Sequence, residues 1–255
     1  MSPIVHAEWQ SRGYRIHASV HEPSQSQGIW VIFSHGFTSH RLGPQYLHVG
    51  MARTLARRGV GSVRFDFAGA GESEGPFHQL TVSTMVADLR TACLWVRDRY
   101  APGKLIVLGH SLGGCVAAMA VDQIEIDGCI LLAAVARPMI MAQAYRKTVS
   151  AQANADGYYE VGAHEMSLDF LEDLEKTDPV AAVSRGACSR FLVLHGDDDQ
   201  TVPLEESHVF VDALRRTNHG VQFEIIPDAN HRILSVEGRK RLYHIITRWL
   251  EEHFS

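Results

Sequence analysis

An α/β architecture, a mostly parallel eight-stranded sheet with helices on both faces, is what this chain of 255 residues predicts. Two observations lead there. Short apolar runs bounded by turn residues recur along the chain, and between them apolar residues return at helical spacing. Alternation of this kind fits a parallel sheet, because each parallel connection must cross over and a helix is its usual form.

The elements follow in order. Val5 to Trp9 and Tyr14 to His21 predict an antiparallel edge, since only a tight turn separates them. Buried strands are then expected at Ile29 to Phe33, Gly61 to Phe65, Lys104 to Leu108, Gly128 to Leu132, Arg190 to Leu194 and Val221 to Ile226. Continuous apolar runs of this length suit strands covered on both faces. Val82, Met85, Val86, Leu89, Ala92, Cys93 and Val96 form one helical stripe, and Leu242, Ile245, Ile246, Trp249 and Leu250 form another. Both stripes read as core packing.

One interval breaks the rhythm. From Ala133 to Arg185 the spacing between expected strands is far larger than elsewhere, and the segment is rich in Met, Tyr and Ala. Residues 1–135 and 185–255 therefore read as the core and residues 136–184 as an inserted cap. Within it, Gly157 to Gly162 predicts a short hairpin that turns one of Tyr158 and Tyr159 inward and the other outward.

The chemistry is concentrated at strand ends. After the run Lys104 to Leu108 comes Gly109-His110-Ser111-Leu112-Gly113, a Gly-x-Ser-x-Gly pattern, followed by small apolar residues suited to a buried helix. In such an elbow the serine is presented above the sheet on a strained turn, and the glycines allow close backbone approach. An ordinary glycine-rich turn would read the same way, so the pattern needs partners. A serine nucleophile requires a base, and the base requires an acid that fixes its tautomer. Three aspartates, Asp197, Asp198 and Asp199, follow the run Arg190 to Leu194, and His231 follows the run ending at Ile226. The order Ser, Asp, His is the one expected of an α/β hydrolase.

These blocks carry a resemblance that covers nearly the whole chain. His35-Gly36-Phe37-Thr38, Asp66-Phe67-Ala68-Gly69-Ala70-Gly71-Glu72-Ser73, the elbow, and the Asp and His blocks resemble, in order and spacing, those of the α/β-hydrolase superfamily. Within it, the chain is most similar to bacterial feruloyl and cinnamoyl esterases. The resemblance implies Ser111 as nucleophile, His231 as base and, on the pattern His-Gly-x-x-Asp-x-x-Val-Pro, Asp199 as acid. It implies an oxyanion hole made by the N–H groups of Phe37 and Leu112, and no cofactor. The implied reaction is two-step acyl transfer on a small-molecule ester. A serine nucleophile argues against the dehalogenase and epoxide hydrolase chemistries of this fold, which use a carboxylate. A monoacylglycerol-type lipase and a small amide or peptide hydrolase are the alternatives, with a non-catalytic binder of the same fold behind them. In the cap, Met and Tyr suit the wall of a pocket for an apolar or aromatic acid. His40, Tyr145, Tyr158 and Tyr159 are the candidate substrate contacts, although gluing the cap to the body would call for the same residue types.

Composition narrows the class. A net charge of −5 with no Lys/Arg block gives no support to nucleic-acid binding. The first residues lack the basic and apolar stretches of a signal peptide, and no apolar run nears the ~20 residues of a membrane span. Cys93, Cys115, Cys129 and Cys188 are scattered and read as free thiols of a cytoplasmic protein. Fifteen histidines occur, but none has metal-site spacing, so no metal is expected. His35 and His110 flank functional backbone and read as supports for it. A homodimer is a further expectation.

Overall fold

The computed structural model describes residues 4–149, 153–217 and 219–254. Its centre is an eight-stranded sheet built from β1 (Ile4–Ser11), β2 (Tyr14–His21), β3 (Ile29–Ser34), β4 (Gly61–Phe65), β5 (Lys104–His110), β6 (Gly128–Leu132), β9 (Arg190–Gly196) and β10 (Gly220–Ile226). The spatial order is β1-β2-β4-β3-β5-β6-β9-β10. From β4 to β10 every pairing is parallel, whereas β1 with β2 and β2 with β4 run antiparallel, as the edge reading expects. The β1–β2 turn uses Arg12 and Gly13, both at positive φ (52° and 85°), the conformation of a type I′ hairpin turn.

The inner strands β3, β4, β5, β6 and β9 are buried on both faces, while the outer β1 and β10 are partly exposed, and alternate residues of the inner strands feed two cores. Trp30, Ile32, Leu105, Val107 and Val193 face a core covered by α2 (Val82–Tyr100), α3 (Leu112–Ala120), α6 (Pro179–Arg185) and α7 (Leu204–Arg216). Ile29, Val31, Phe33, Ile106 and Leu108 face the other, covered by α1 (Leu47–Arg57) and α8 (Val236–Phe254). The helical stripe from Val82 to Val96 lies in the first core and that from Leu242 to Leu250 in the second. At the start of α2, Thr81 and Thr84 exchange side-chain to backbone hydrogen bonds, closing a capping box on donors a helix leaves unpaired.

The long interval between β6 and β9 holds α4 (Pro138–Val149), the hairpin of β7 (Tyr159–Val161) and β8 (His164–Met166), α5 (Leu168–Lys176) and then α6. The hairpin sits further along than Gly157 to Gly162, because Gly162 lies at its turn with φ 60°. Ala142, Met166, Phe170, Leu171 and Leu174 are buried and continue the first core without a break.

Strand order also positions the chemistry. The chain lays β4 on one side of β3 and then crosses to lay β5 on the other, so adjacent strands β3 and β5 lead away in opposite directions. The crevice at the carboxyl ends of such strands is where ligands bind in open α/β sheets. Ser34, the last residue of β3, is in register with Gly109. The loops that follow, Gly36 to Phe37 and Ser111, are thereby brought side by side.

Candidate active site

Ser111 stands between β5 and α3 at φ 59° and ψ −126°, a region that L-residues rarely adopt. Holding it there costs about 1–3 kcal/mol and requires surroundings that leave no alternative. Its N–H donates to the Leu132 carbonyl (2.9 Å), and its carbonyl accepts from Gly114 (2.9 Å). A side chain at Gly109 would press on the Gly114 Cα at 2.6 Å, and one at Gly113 would overlap the carbonyl oxygens of Ser34 and His35. The elbow glycines are thus required by contact between α3, β5 and the end of β3.

Beside the elbow, Gly36 packs against Ser111: a Cβ there would lie 3.1 Å from the Ser111 Cβ. His35 braces this segment. Its ring is buried, Nδ1–H donates to the Gly36 carbonyl (2.9 Å), and Nε2 accepts the Phe67 N–H (3.2 Å). Among the described residues neither the Phe37 N–H nor the Leu112 N–H donates to a protein acceptor. Leu112 opens α3, where helical geometry supplies no acceptor for the N–H. The Phe37 side chain stacks on Phe170 with centroids 4.4 Å apart and planes 7° apart, which ties this loop to α5.

Asp199 and His231 meet. Asp199 Oδ2 lies 2.7 Å from His231 Nδ1, while Asp199 Oδ1 accepts the N–H groups of Thr201 (2.8 Å) and Val202 (2.9 Å). A carboxylate only accepts, so Nδ1 carries the proton and Nε2 of His231 keeps its lone pair. Burial alone would raise the Asp199 carboxyl, but hydrogen bonds from His195 and His231 hold it well below the usual carboxylate range. Of the neighbouring aspartates, Asp197 accepts the Asp228 N–H (2.7 Å) and Asp198 pairs with Gln200 (3.3 Å).

Two further histidines support the assembly. His195 Nε2–H donates to the Val202 carbonyl (2.8 Å) and lies 3.3 Å from Asp199 Oδ2, and its Nδ1 accepts from Ser207 (2.7 Å). Sequence reasoning gave His195 no role, although it opens the His-Gly-x-x-Asp block. His110 Nε2–H donates to the His231 carbonyl at 3.0 Å.

Ser111 and His231 line one pocket of about 1170 Å³, bounded by the segment after β3, by α4 and by the loops after β9 and β10. Among the described residues no hydrogen bond joins Ser111 Oγ to His231. His40 and Tyr145 line the pocket, and burial pushes the Tyr145 hydroxyl up. Tyr158 and Tyr159 do not line it. Tyr158 stacks on His78 (4.1 Å, 9°), and Tyr159 packs against the first core, because the β7–β8 hairpin lies over the Phe77–Gln79 turn rather than over Ser111. Arg137, Glu206 and Arg232 also reach the pocket and carried no signal in the sequence. No group of three or more His, Cys, Asp or Glu among the described residues is arranged to hold a metal ion.

This is the fold of the α/β hydrolases. Residues 48–255 match the prolyl oligopeptidase family, and the chain belongs to it. It is 25% identical to a monoacylglycerol lipase of Mycolicibacterium smegmatis, covering 94% of each chain. It is 22% identical to esterase EstD of Thermotoga maritima over 82% of this chain and 58% of EstD. It spans little more than half the length of several curated relatives it matches, EstD included. Among solved structures it is similar to Est1E of Butyrivibrio proteoclasticus with ferulic acid bound, with a TM-score of 0.82, 19% identity and coverage of 97% of this chain and 98% of the other. Among the described residues no helix is long and apolar enough to cross a membrane.

Proposed function

We propose that the protein is a serine ester hydrolase acting on small esters, with Ser111 as nucleophile, His231 as base and Asp199 as the acid that orients it. The observation that carries this reading is the 2.7 Å bond from His231 Nδ1–H to Asp199, with His231 lining the same pocket as the strained Ser111. In the first step His231 Nε2 takes the Ser111 proton as Oγ attacks the acyl carbon. The oxyanion then lies against the N–H groups of Phe37 and Leu112, and the start of α3 adds a favourable dipole. His231 returns the proton to the departing alcohol, and water repeats the sequence on the acyl-enzyme. Residues 136–184 act as a cap, since Arg137, Ile140, Met141, Ala144 and Tyr145 wall the pocket.

Phe37, Met141 and Tyr145 offer an apolar and aromatic surface that suits a hydroxycinnamoyl acid. The likeness in fold to Est1E supports the same choice. The test is kcat/KM for methyl ferulate and p-nitrophenyl butyrate side by side, with Ser111→Ala as blank. A ferulate preference that vanishes in the variant supports a hydroxycinnamoyl esterase. Butyrate activity alone leaves a short-chain carboxylesterase. Family membership favours amide hydrolysis as the second reading, so a peptide p-nitroanilide belongs in the same assay. Four unpaired buried thiols support placement in a reducing compartment, the cytoplasm.

A further inference from the structure

We infer that the ester carries an anionic group, carboxylate or phosphate, on its alcohol moiety, and that Arg232 with Arg137 receives it; this rests on the ester-hydrolase reading. The chain as a whole is acidic, with a net charge of −5. Its pocket is not: the lining residues with a permanent charge are Arg137, Arg232 and Glu206. Glu206 is already engaged. Its Oε2 accepts the N–H groups of Ala136 (2.8 Å) and Arg137 (2.7 Å), its Oε1 accepts from the Arg137 guanidinium (2.6 Å), and it is buried. The Arg137 side chain nevertheless stays 45% exposed.

Arg232 differs from the other arginines near the mouth. Arg41 is bound to Asp66 and Glu72, and Arg239 donates to the carbonyls of Ile233, Gln45 and Pro44. Arg232 makes no ion pair or hydrogen bond among the described residues, and it lines the pocket from the position next to His231. His231 delivers the proton to the leaving alcohol, so a cation beside it belongs to the alcohol side. Arg232 is exposed at the mouth, so its guanidinium is open to a charge carried by the ligand, and low ionic strength preserves that attraction. A guanidinium suits planar carboxylate and phosphate equally.

The experiment compares kcat/KM for ethyl butyrate, O-butyryl glycolate, 2-(phosphonooxy)ethyl butyrate and butyrylcholine, following butyrate release at low ionic strength. At least one anionic ester should exceed ethyl butyrate by about tenfold or more, the size of one charge-assisted contact, and butyrylcholine should fall below it. The two anionic arms decide between carboxylate and phosphate. In Arg232→Gln the ratio of anionic to neutral ester should collapse toward one, in Arg232→Glu it should invert, and Arg232→Lys should keep most of it. Calorimetric binding of glycolate and 2-hydroxyethyl phosphate gives a readout independent of turnover, with Kd weakened about tenfold in Arg232→Gln. Anionic esters no better than ethyl butyrate, or a preference unchanged in Arg232→Gln, would overturn the inference. Failure of Ser111 to react with a fluorophosphonate, with no ester turned over, would instead remove the ester-hydrolase reading. In that case absence of anion binding overturns the inference as well.

Discussion

The Nε2–H of His110 donates to the main-chain carbonyl of His231 across 3.0 Å, and the two rings lie 5.2 Å apart. The residue that immediately precedes Ser111 thereby clamps the backbone of the histidine loop. Its ring is neutral, pushed down to about 3 by burial and then by His231. An uncharged donor suits this task, because a second imidazolium would oppose the charge His231 acquires in the proposed mechanism.

Replacing His110 should therefore act on turnover more than on substrate affinity. His110→Ala is expected to lower kcat by about tenfold or more with a smaller change in KM, since a misplaced base costs rate through geometry. His110→Asn, which keeps a donor, should recover part of the loss. Steady-state kinetics on p-nitrophenyl butyrate, with circular dichroism to confirm folding, checks both.

Asp199→Asn exchanges a pure acceptor for a group that also donates, so His231 loses the partner that fixes its tautomer. The expected fall in kcat is on the order of 10⁴, as for the corresponding change in a serine protease triad. Asp197→Asn should stay within about threefold of wild type, because an amide oxygen can still accept the Asp228 N–H. Near-normal rates in Asp199→Asn would show that the acid lies elsewhere.

Gly113→Ala tests the contact between the elbow and β3. The added methyl overlaps the carbonyl oxygens of Ser34 and His35, backbone atoms that cannot step aside without moving Gly36 and Phe37. Overpacking of this kind costs about 1–3 kcal/mol, and loss of one oxyanion donor costs about 10²–10³ in rate. Urea denaturation should report the first, and kcat for p-nitrophenyl butyrate the second. A variant with wild-type stability and rate would contradict the packing described.

Stability should fall as the solution is acidified through the histidine range. His21 is lowered to about 4 by burial and then by Arg64, and its Nε2 accepts from the Arg64 guanidinium at 2.9 Å, which requires the neutral ring. His110 is lowered to about 3. Free histidine titrates near ~6.5, so below that value the unfolded chain takes protons that the folded one refuses. Their contribution is complete above about pH 6.5 and drains away as the pH falls toward 4 and below. Asp199, held low in the folded state, adds a loss in the same direction below the usual carboxylate range. Tm measured from pH 8 to pH 4 should be level at first and then decline, with a shallower decline in His21→Asn. A Tm that rises between pH 6.5 and 4 would be the contrary result.

Much of the fold was legible because its signals are local. Ile29 to Phe33 and Gly61 to Phe65 read as strands since both of their faces are covered, and β3 and β4 differ from those spans by at most one residue. The edge strand was harder: only Val5 to Trp9 was expected of Ile4–Ser11, because a half-exposed strand carries a weaker apolar signal. Tyr158 and Tyr159 went astray for a different reason. Alternation tells which residues share a face, but what that face meets depends on where the hairpin lies, and His78 and the first core claimed them.

The sequence by itself determined the parallel α/β class, the positions of Ser111 and His231 at strand ends, and a short choice among three aspartates. Those properties follow from apolar periodicity and from turns that only particular residues can make. Tertiary structure added that Asp199, the aspartate the family pattern implied, is the one that bonds His231, that His195 takes part beside them, that His110 donates to the His231 carbonyl, and that Arg137 and Glu206, 69 residues apart, bond each other in the pocket Arg232 also lines. Partner choice between polar side chains leaves no periodic trace. It is set when packing brings distant backbone within about 3 Å, and at that range geometry, not chain spacing, selects the bond.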